Sequence, residues 1–139
     1  MEVIYMNDDI KVSFPGGKKV DAKYGDFVIK TDQPIHGGGE GTAPAPFDLF
    51  LASLATCAGY YVLVFCQSRG LSYKNVSLVL KKERNPETKR IEKIFININL
   101  PATFPEKYKS AVIKSVNSCA VKIHMKYPPE FIVEAIVNK

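Results

Sequence analysis

Tryptophan is absent, histidine occurs 2 times and cysteine 3 times in 139 residues. Each scarcity closes off a function class. With only His36 and His124, and no C-x-x-C pair, the ligands for a zinc site are too few and too scattered, so no metal is expected. The missing C-x-x-C also removes the thioredoxin-type redox motif. Cys57, Cys66 and Cys119 are odd in number and far apart, which does not make a disulfide framework and fits a reducing compartment. Basic residues adjoin only at Lys18-Lys19, Lys81-Lys82 and Lys89-Arg90, so the net charge of +5 is not gathered into a stripe. No nucleic-acid partner is expected; a mildly basic surface suits an anionic small molecule equally well. The first residues, MEVIYMNDDIKV, lack a basic region followed by an apolar one, so no secretory signal is read and a cytoplasmic location is expected. A hydrophobic content of 46% with 24% charged residues belongs to an ordinary globular chain of this length, read as a single domain over 1–139.

The longest absence is of charge. Between Asp48 and Arg69 there is none, and Pro46 to Arg69 suffices for about six turns of helix. Pro46 suits a first helical position. Asp48 falls in the first turn, where a carboxylate complements the helix dipole, and Gly70 stands where a C-terminal cap belongs. The run is long enough to span a bilayer. Ser53, Thr56, Tyr60 and Tyr61 dilute it, strand-like alternation flanks it, and no Lys/Arg cluster marks one side. It is therefore read as the buried central helix of a compact domain with no membrane partner, its small residues Ala52, Ser53, Ala55, Ala58 and Gly59 allowing another helix to approach.

Around that helix the chain reads as strands and shorter helices. Val3–Met6, Ile10–Phe14, Val20–Tyr24 and Phe27–Ile29 form a meander of three or four strands, punctuated by Pro15-Gly16-Gly17 and Gly25-Asp26. Thr31 to Ala45 is a glycine-rich loop holding His36 and Gly37-Gly38-Gly39-Glu40-Gly41. It lacks the lysine and hydroxyl of a phosphate loop and reads as a flexible lead into the helix, with Glu40 a candidate polar group at the mouth of a site. Val76, Leu78 and Leu80, then a turn at Asn85–Thr88, then Ile94, Ile96, Ile98 and Leu100, make a hairpin with one buried face. Pro105 precedes an amphipathic helix with Tyr108, Val112, Ile113 and Val116 on one stripe. Ser118 is a good N-cap for a short further helix beginning at Cys119. Phe131, Val133, Ala135 and Val137 alternate as a last strand.

Free cysteine is usually a small buried hydrophobe. Cys57 and Cys66 are nine residues apart on one helix and point to opposite sides, so they cannot pair, and Cys66 is the best candidate for an inert core thiol. Cys119 has a physical reason for reactivity, since a helix N-terminus stabilises a thiolate. Cys57, in mid-helix, needs a donor or cation from elsewhere. Spacing leaves open whether these two thiols meet.

The run Pro46 to Cys57 (P-F-D-L-F-L-A-S-L-A-T-C), with Gly38-Gly39-Glu40-Gly41 before it and Ser118-Cys119-Ala120-Val121 far behind, resembles the OsmC/Ohr family along almost the whole chain. The resemblance implies an α+β fold with two β-sheets around long central helices in an intertwined homodimer. It implies antioxidant reduction of small hydrophobic organic hydroperoxides, with Cys57 as the peroxidatic and Cys119 as the resolving cysteine. No bound cofactor is then needed, only an external thiol reductant. Peroxidase members use an arginine from the N-terminal strands, held by a glutamate at the start of the central helix. Here no arginine precedes Arg69, so Lys18, Lys19 or Lys23 would stand in, and Phe47 occupies the glutamate position, leaving Asp48 and Glu40 as supporting acids. The alternative implied by that departure is a non-catalytic module on the same fold that binds a small molecule or a thiol cofactor such as coenzyme A.

Overall fold

A computed structural model describes residues 9–138. The expected strand at Val3–Met6 lies outside them. The fold is α+β, with two small antiparallel sheets and three α-helices among the described residues. The residues fall into two compact units, divided within the long helix after Leu51.

The first unit is the meander β1 (Lys11–Gly16), β2 (Lys19–Tyr24) and β3 (Phe27–Thr31), followed by the glycine-rich loop and the start of α1 (Pro46–Ser68). Cross-strand partners share a face. Val12, Ala22 and Ile29 therefore line one side, and Lys11, Lys23 and Val28 the other. The alternation predicts half-buried strands, but β1 is exposed along its whole length, with Val12 and Phe14 open to solvent.

The loop is not the flexible lead that its glycines predict. A 3-10 turn at Ile35–Gly37 and the buried carboxylate of Asp32 fold it on itself. Asp32 accepts hydrogen bonds from the backbone N–H groups of Gln33 (2.7 Å), Thr42 (3.1 Å) and Glu40 (3.3 Å), and from the Thr42 hydroxyl (2.7 Å). Gly39 is required where the loop crosses itself, because a Cβ there would collide with the Gln33 carbonyl. At the start of α1 the Asp48 carboxylate accepts the Ala45 N–H (3.1 Å), reaching back over the first turn as in half of a capping box.

The second unit holds the rest of α1, the hairpin β4 (Ser77–Arg84) and β5 (Ile91–Asn99), α2 (Lys109–Val116), α3 (Ala120–Lys126) and the C-terminal tail. Leu78 pairs with Ile98 and Leu80 with Ile96, so the hairpin turns one apolar face inward as its alternation predicts. Ala58, Val62, Phe65 and Cys66 on α1 meet Phe104, Val112 and Val116 in the core. Gly70, at φ +64°, ends α1 as the sequence predicts. By length and composition α1 could cross a bilayer; its buried stripe is also what the core helix of a globular unit needs.

Three sequence expectations are corrected. The helix expected from Glu106 begins as a 3-10 turn (Glu106–Tyr108), and of its stripe Val112 and Val116 are buried while Ile113 is exposed. The cap of α3 is Cys119, not Ser118: its ψ of 122° is non-helical, and its carbonyl accepts the first helical N–H, from Ile123 (3.0 Å). Among the described residues no strand forms after Pro129. A strand needs a neighbour to pair with, and Phe131, Val133 and Val137 stand more than 80% exposed.

Candidate functional site

Two cysteines from different helices of the second unit come together. Cys57 lies at the border of the face that α1 buries, about 100° round from Ala58, and is half-buried. Cys66 lies at the opposite border, fully enclosed, where burial pushes its thiol up. Cys119 is fully buried at the cap of α3.

The chain between α2 and α3 explains the meeting. Val112 and Val116 anchor α2 in the core. The N–H groups of Asn117, Ser118 and Cys119 bond back to the carbonyls of Lys114, Ser115 and Val116, tightening the end of α2. The backbone of Cys119 then breaks the helical geometry and α3 starts afresh. The first N–H groups of a helix have no partner within it; here those of Val121 and Ala120 bond the Cys57 sulfur, and the Cys119 thiol donates to the same atom.

These contacts divide the two thiols. Burial by itself pushes Cys57 up. The Cys119 thiol and the N–H groups of Val121 and Ala120 outweigh it, so Cys57 falls below the ordinary cysteine value. Burial pushes Cys119 up, and donation to Cys57 holds its proton further, with the N–H groups of Lys122 and Val121 offsetting only part. Of the two coupled thiols Cys57 is therefore the one that ionises first, and Cys119 the one that keeps its proton. Sequence reasoning assigns the helix-end donors to Cys119; in the fold the N–H groups of Val121 and Lys122 do reach Cys119, and those of Val121 and Ala120 reach Cys57 as well. The signal was present, because a cysteine capping a helix aims the following two N–H groups at whatever faces it.

Glu40 and Asp48 belong to the first unit, and each has a local partner. Glu40 pairs with Lys19 at 2.8 Å, a bond that holds the Lys19 ammonium above its ordinary value. Asp48 caps α1. Sequence reasoning missed Asp32, held down to about 2 by the Thr42 hydroxyl and the N–H groups of Gln33, Thr42 and Glu40 against the opposing effect of burial. Its only signal was a carboxylate next to a glycine-rich loop. Among the described residues no group of three or more His, Cys, Asp or Glu gathers as a metal set.

An apolar groove of about 840 Å³ opens between β5, α2 and α3. Ile94, Ile96, Ile113 and Met125 line it, with Leu54, one turn before Cys57, and Lys122, one turn beyond Cys119.

A family model described as OsmC-like protein matches residues 38–134, a span that takes in both thiols. The chain belongs to the OsmC-like family. Solved structures agree on the fold. An osmotic stress induced and detoxification response protein from Psychrobacter arcticus superposes with a TM-score of 0.70 at 21% identity, over 87% of this chain and 89% of that one. An organic hydroperoxide resistance protein OsmC from Legionella pneumophila gives 0.54 at 18%, over 90% and 92%. An organic hydroperoxide resistance protein from Vibrio cholerae, with captopril bound in one of its active sites, gives 0.52 at 18%, over 89% and 87%. Comparison with curated proteins finds no match.

Proposed function

We propose that this OsmC-like protein reduces organic hydroperoxides with Cys57 as the attacking sulfur and Cys119 as the resolving one. The observation that carries the reading is the hydrogen-bonded pair, in which Cys57 is the more acidic thiol and Cys119 holds the proton. A thiolate is the nucleophile toward a peroxide. The Cys57 sulfur attacks the outer peroxide oxygen, the O–O bond breaks, and the alkoxide leaves as alcohol with the proton that Cys119 holds. Cys57 is then a sulfenic acid and Cys119 a thiolate. The Cys119 sulfur attacks the sulfenic sulfur, hydroxide leaves and takes a proton from solvent as water, and a Cys57–Cys119 disulfide remains. Two equivalents of an external thiol restore both thiols and leave as its disulfide. The apolar groove supports an alkyl substrate, since such a surface favours alkyl over charged peroxides.

The protein acts as a homodimer in the cytoplasm on this reading. Support for the dimer comes from surfaces that one chain leaves open: the stripe Ala52, Thr56, Tyr60 and Val64 along α1, which carries no charge after Asp48, the apolar side of the β1–β3 sheet, and the apolar tail. Sedimentation of the native protein at twice the chain mass is the expected result.

The deciding experiment adds an alkyl hydroperoxide to the reduced protein and counts thiols. Two thiols lost per chain, with a Cys57–Cys119 disulfide found by peptide mapping, are expected; C119S should stop at a sulfenic acid trapped by dimedone. If C57S consumes peroxide as fast as the wild type, the assignment is wrong. A stoichiometric adduct of a thiol cofactor on Cys57, with no peroxide turnover, would favour the non-catalytic binding module instead.

A further inference from the structure

We propose that His124 is a positioning residue that tunes the Cys57 thiolate through the Ala120–Val121 peptide group. The inference rests on the reading of Cys57 as the attacking sulfur. Nδ1 of His124 lies 2.7 Å from the Ala120 carbonyl oxygen. A carbonyl can only accept, so Nδ1 carries a proton there. That carbonyl belongs to the same planar amide as the Val121 N–H, which reaches the Cys57 sulfur and is shared with that of Cys119. One peptide group is thus bonded at both ends, by imidazole at its oxygen and by sulfur at its N–H.

Such chains reinforce each other: density drawn toward the oxygen makes the N–H a better donor, strengthening linked bonds by about 10–30% each. The effect is present with a neutral ring and larger with imidazolium, whose charge adds to the pull on the carbonyl.

Most of the remaining charges on these elements have other partners. On α3, the Lys122 ammonium donates to the Asn117 side-chain oxygen (3.2 Å) and the Lys126 ammonium lies 5.6 Å from the Tyr127 ring centre. On α2 and the turn before it, Lys109 pairs with Glu106 (2.7 Å), the Lys107 ammonium lies 5.0 Å from the Tyr108 ring centre, and Lys114 is the remaining cation. On α1 no charge intervenes between Asp48 and Arg69. Cys119 is the one titratable group bonded to Cys57 among the described residues.

The test measures alkylation of Cys57 by iodoacetamide from acid to alkaline pH, located by mass spectrometry, in the wild type, H124A and K126A. H124A should move the profile toward alkaline pH and slow alkylation below its midpoint by about threefold, with thermal unfolding unchanged. K126A removes a cation from the same helix without touching the peptide and should leave the profile in place. The proposal is overturned if the H124A profile superimposes on the wild type, or if K126A shifts it as far. Alkylation reads the sulfur without peroxide, so the role of His124 is tested even in a protein that fails to turn over peroxide.

Discussion

Replacing Cys119 by alanine and by serine separates two duties that the pair combines. Both substitutions remove the sulfur proposed to resolve the sulfenic acid, so neither variant could close the proposed disulfide. They differ in what they leave facing Cys57. Serine keeps an O–H donor near the place of the S–H donor; alanine leaves none. The N–H groups of Val121 and Ala120 stay in both, because the backbone supplies them. A hydrogen bond to a charged acceptor contributes about 1.5–3 kcal/mol. Cys57 is half-buried, so water recovers part of the loss in the alanine variant and the lower end applies. About 1.4 kcal/mol lowers the thiolate-to-thiol ratio about tenfold wherever the thiol form predominates. The scarcer thiolate is the more basic one, and with a nucleophilicity slope of about 0.4–0.5 it regains about threefold in rate.

The net expectation is that C119A reacts with a chromogenic aromatic disulfide about three- to fourfold more slowly than C119S. C119S should stay close to the wild-type rate of first attack. Stopped-flow release of the aromatic thiolate gives the rate, and peptide mapping shows that Cys57 carries the label, Cys66 being enclosed in the core. Equal rates for the two variants would refute the claim that the Cys119 thiol lowers Cys57. Faster reaction of the alanine variant would mean that Cys119 only blocks access.

Asp32 is held at about 2, well below its unfolded value, so its contribution is complete above the unfolded value and is lost as pH falls toward about 2; acid unfolding of D32N should lack the part of the wild-type transition in that window. G39A should fail to assemble the loop, because its methyl would meet the Gln33 carbonyl, a rigid backbone atom; loss of hydrogen-exchange protection at the Thr42 N–H reads this directly. V112A removes two buried methyl groups from a fully enclosed site and should lower unfolding free energy by about 2 kcal/mol in urea titration.

What was legible in the sequence followed from local chemistry. The charge-free stretch from Asp48 to Arg69 fixed the long helix, with Pro46 and Gly70 at its ends, because each of those residues acts within its own turn. Ile94, Ile96 and Ile98 fixed the hairpin face, since alternation and turn chemistry agreed. The tail from Phe131 failed as a strand although its alternation is clean: pattern reports which side would be buried, and pairing requires a neighbour that one chain does not supply. The loop from Asp32 to Thr42 misled in the opposite direction. Its glycines read as flexibility, whereas Gly39 is there so that the backbone can close around one buried carboxylate.

The site was half legible for a related reason. Side-chain motifs name side chains, and Cys57 and Cys119 were both visible. The groups that lower Cys57 are a thiol and two peptide N–H groups, and peptide groups leave no letter in a sequence. Lys18, Lys19 and Lys23, which the family resemblance offers as activating cations, belong to the first unit. The groups bonded to the sulfur carry no net charge. Their effect is short-ranged, fixed by the geometry of the α2–α3 connection and little screened by salt, whereas an ammonium partner would weaken as ionic strength rises. On the proposed reading, a thiolate held this way would depend on the backbone angle at Cys119. Val112 and Val116, which anchor α2 and so set the start of α3, are then as much a part of the chemistry as the sulfur itself.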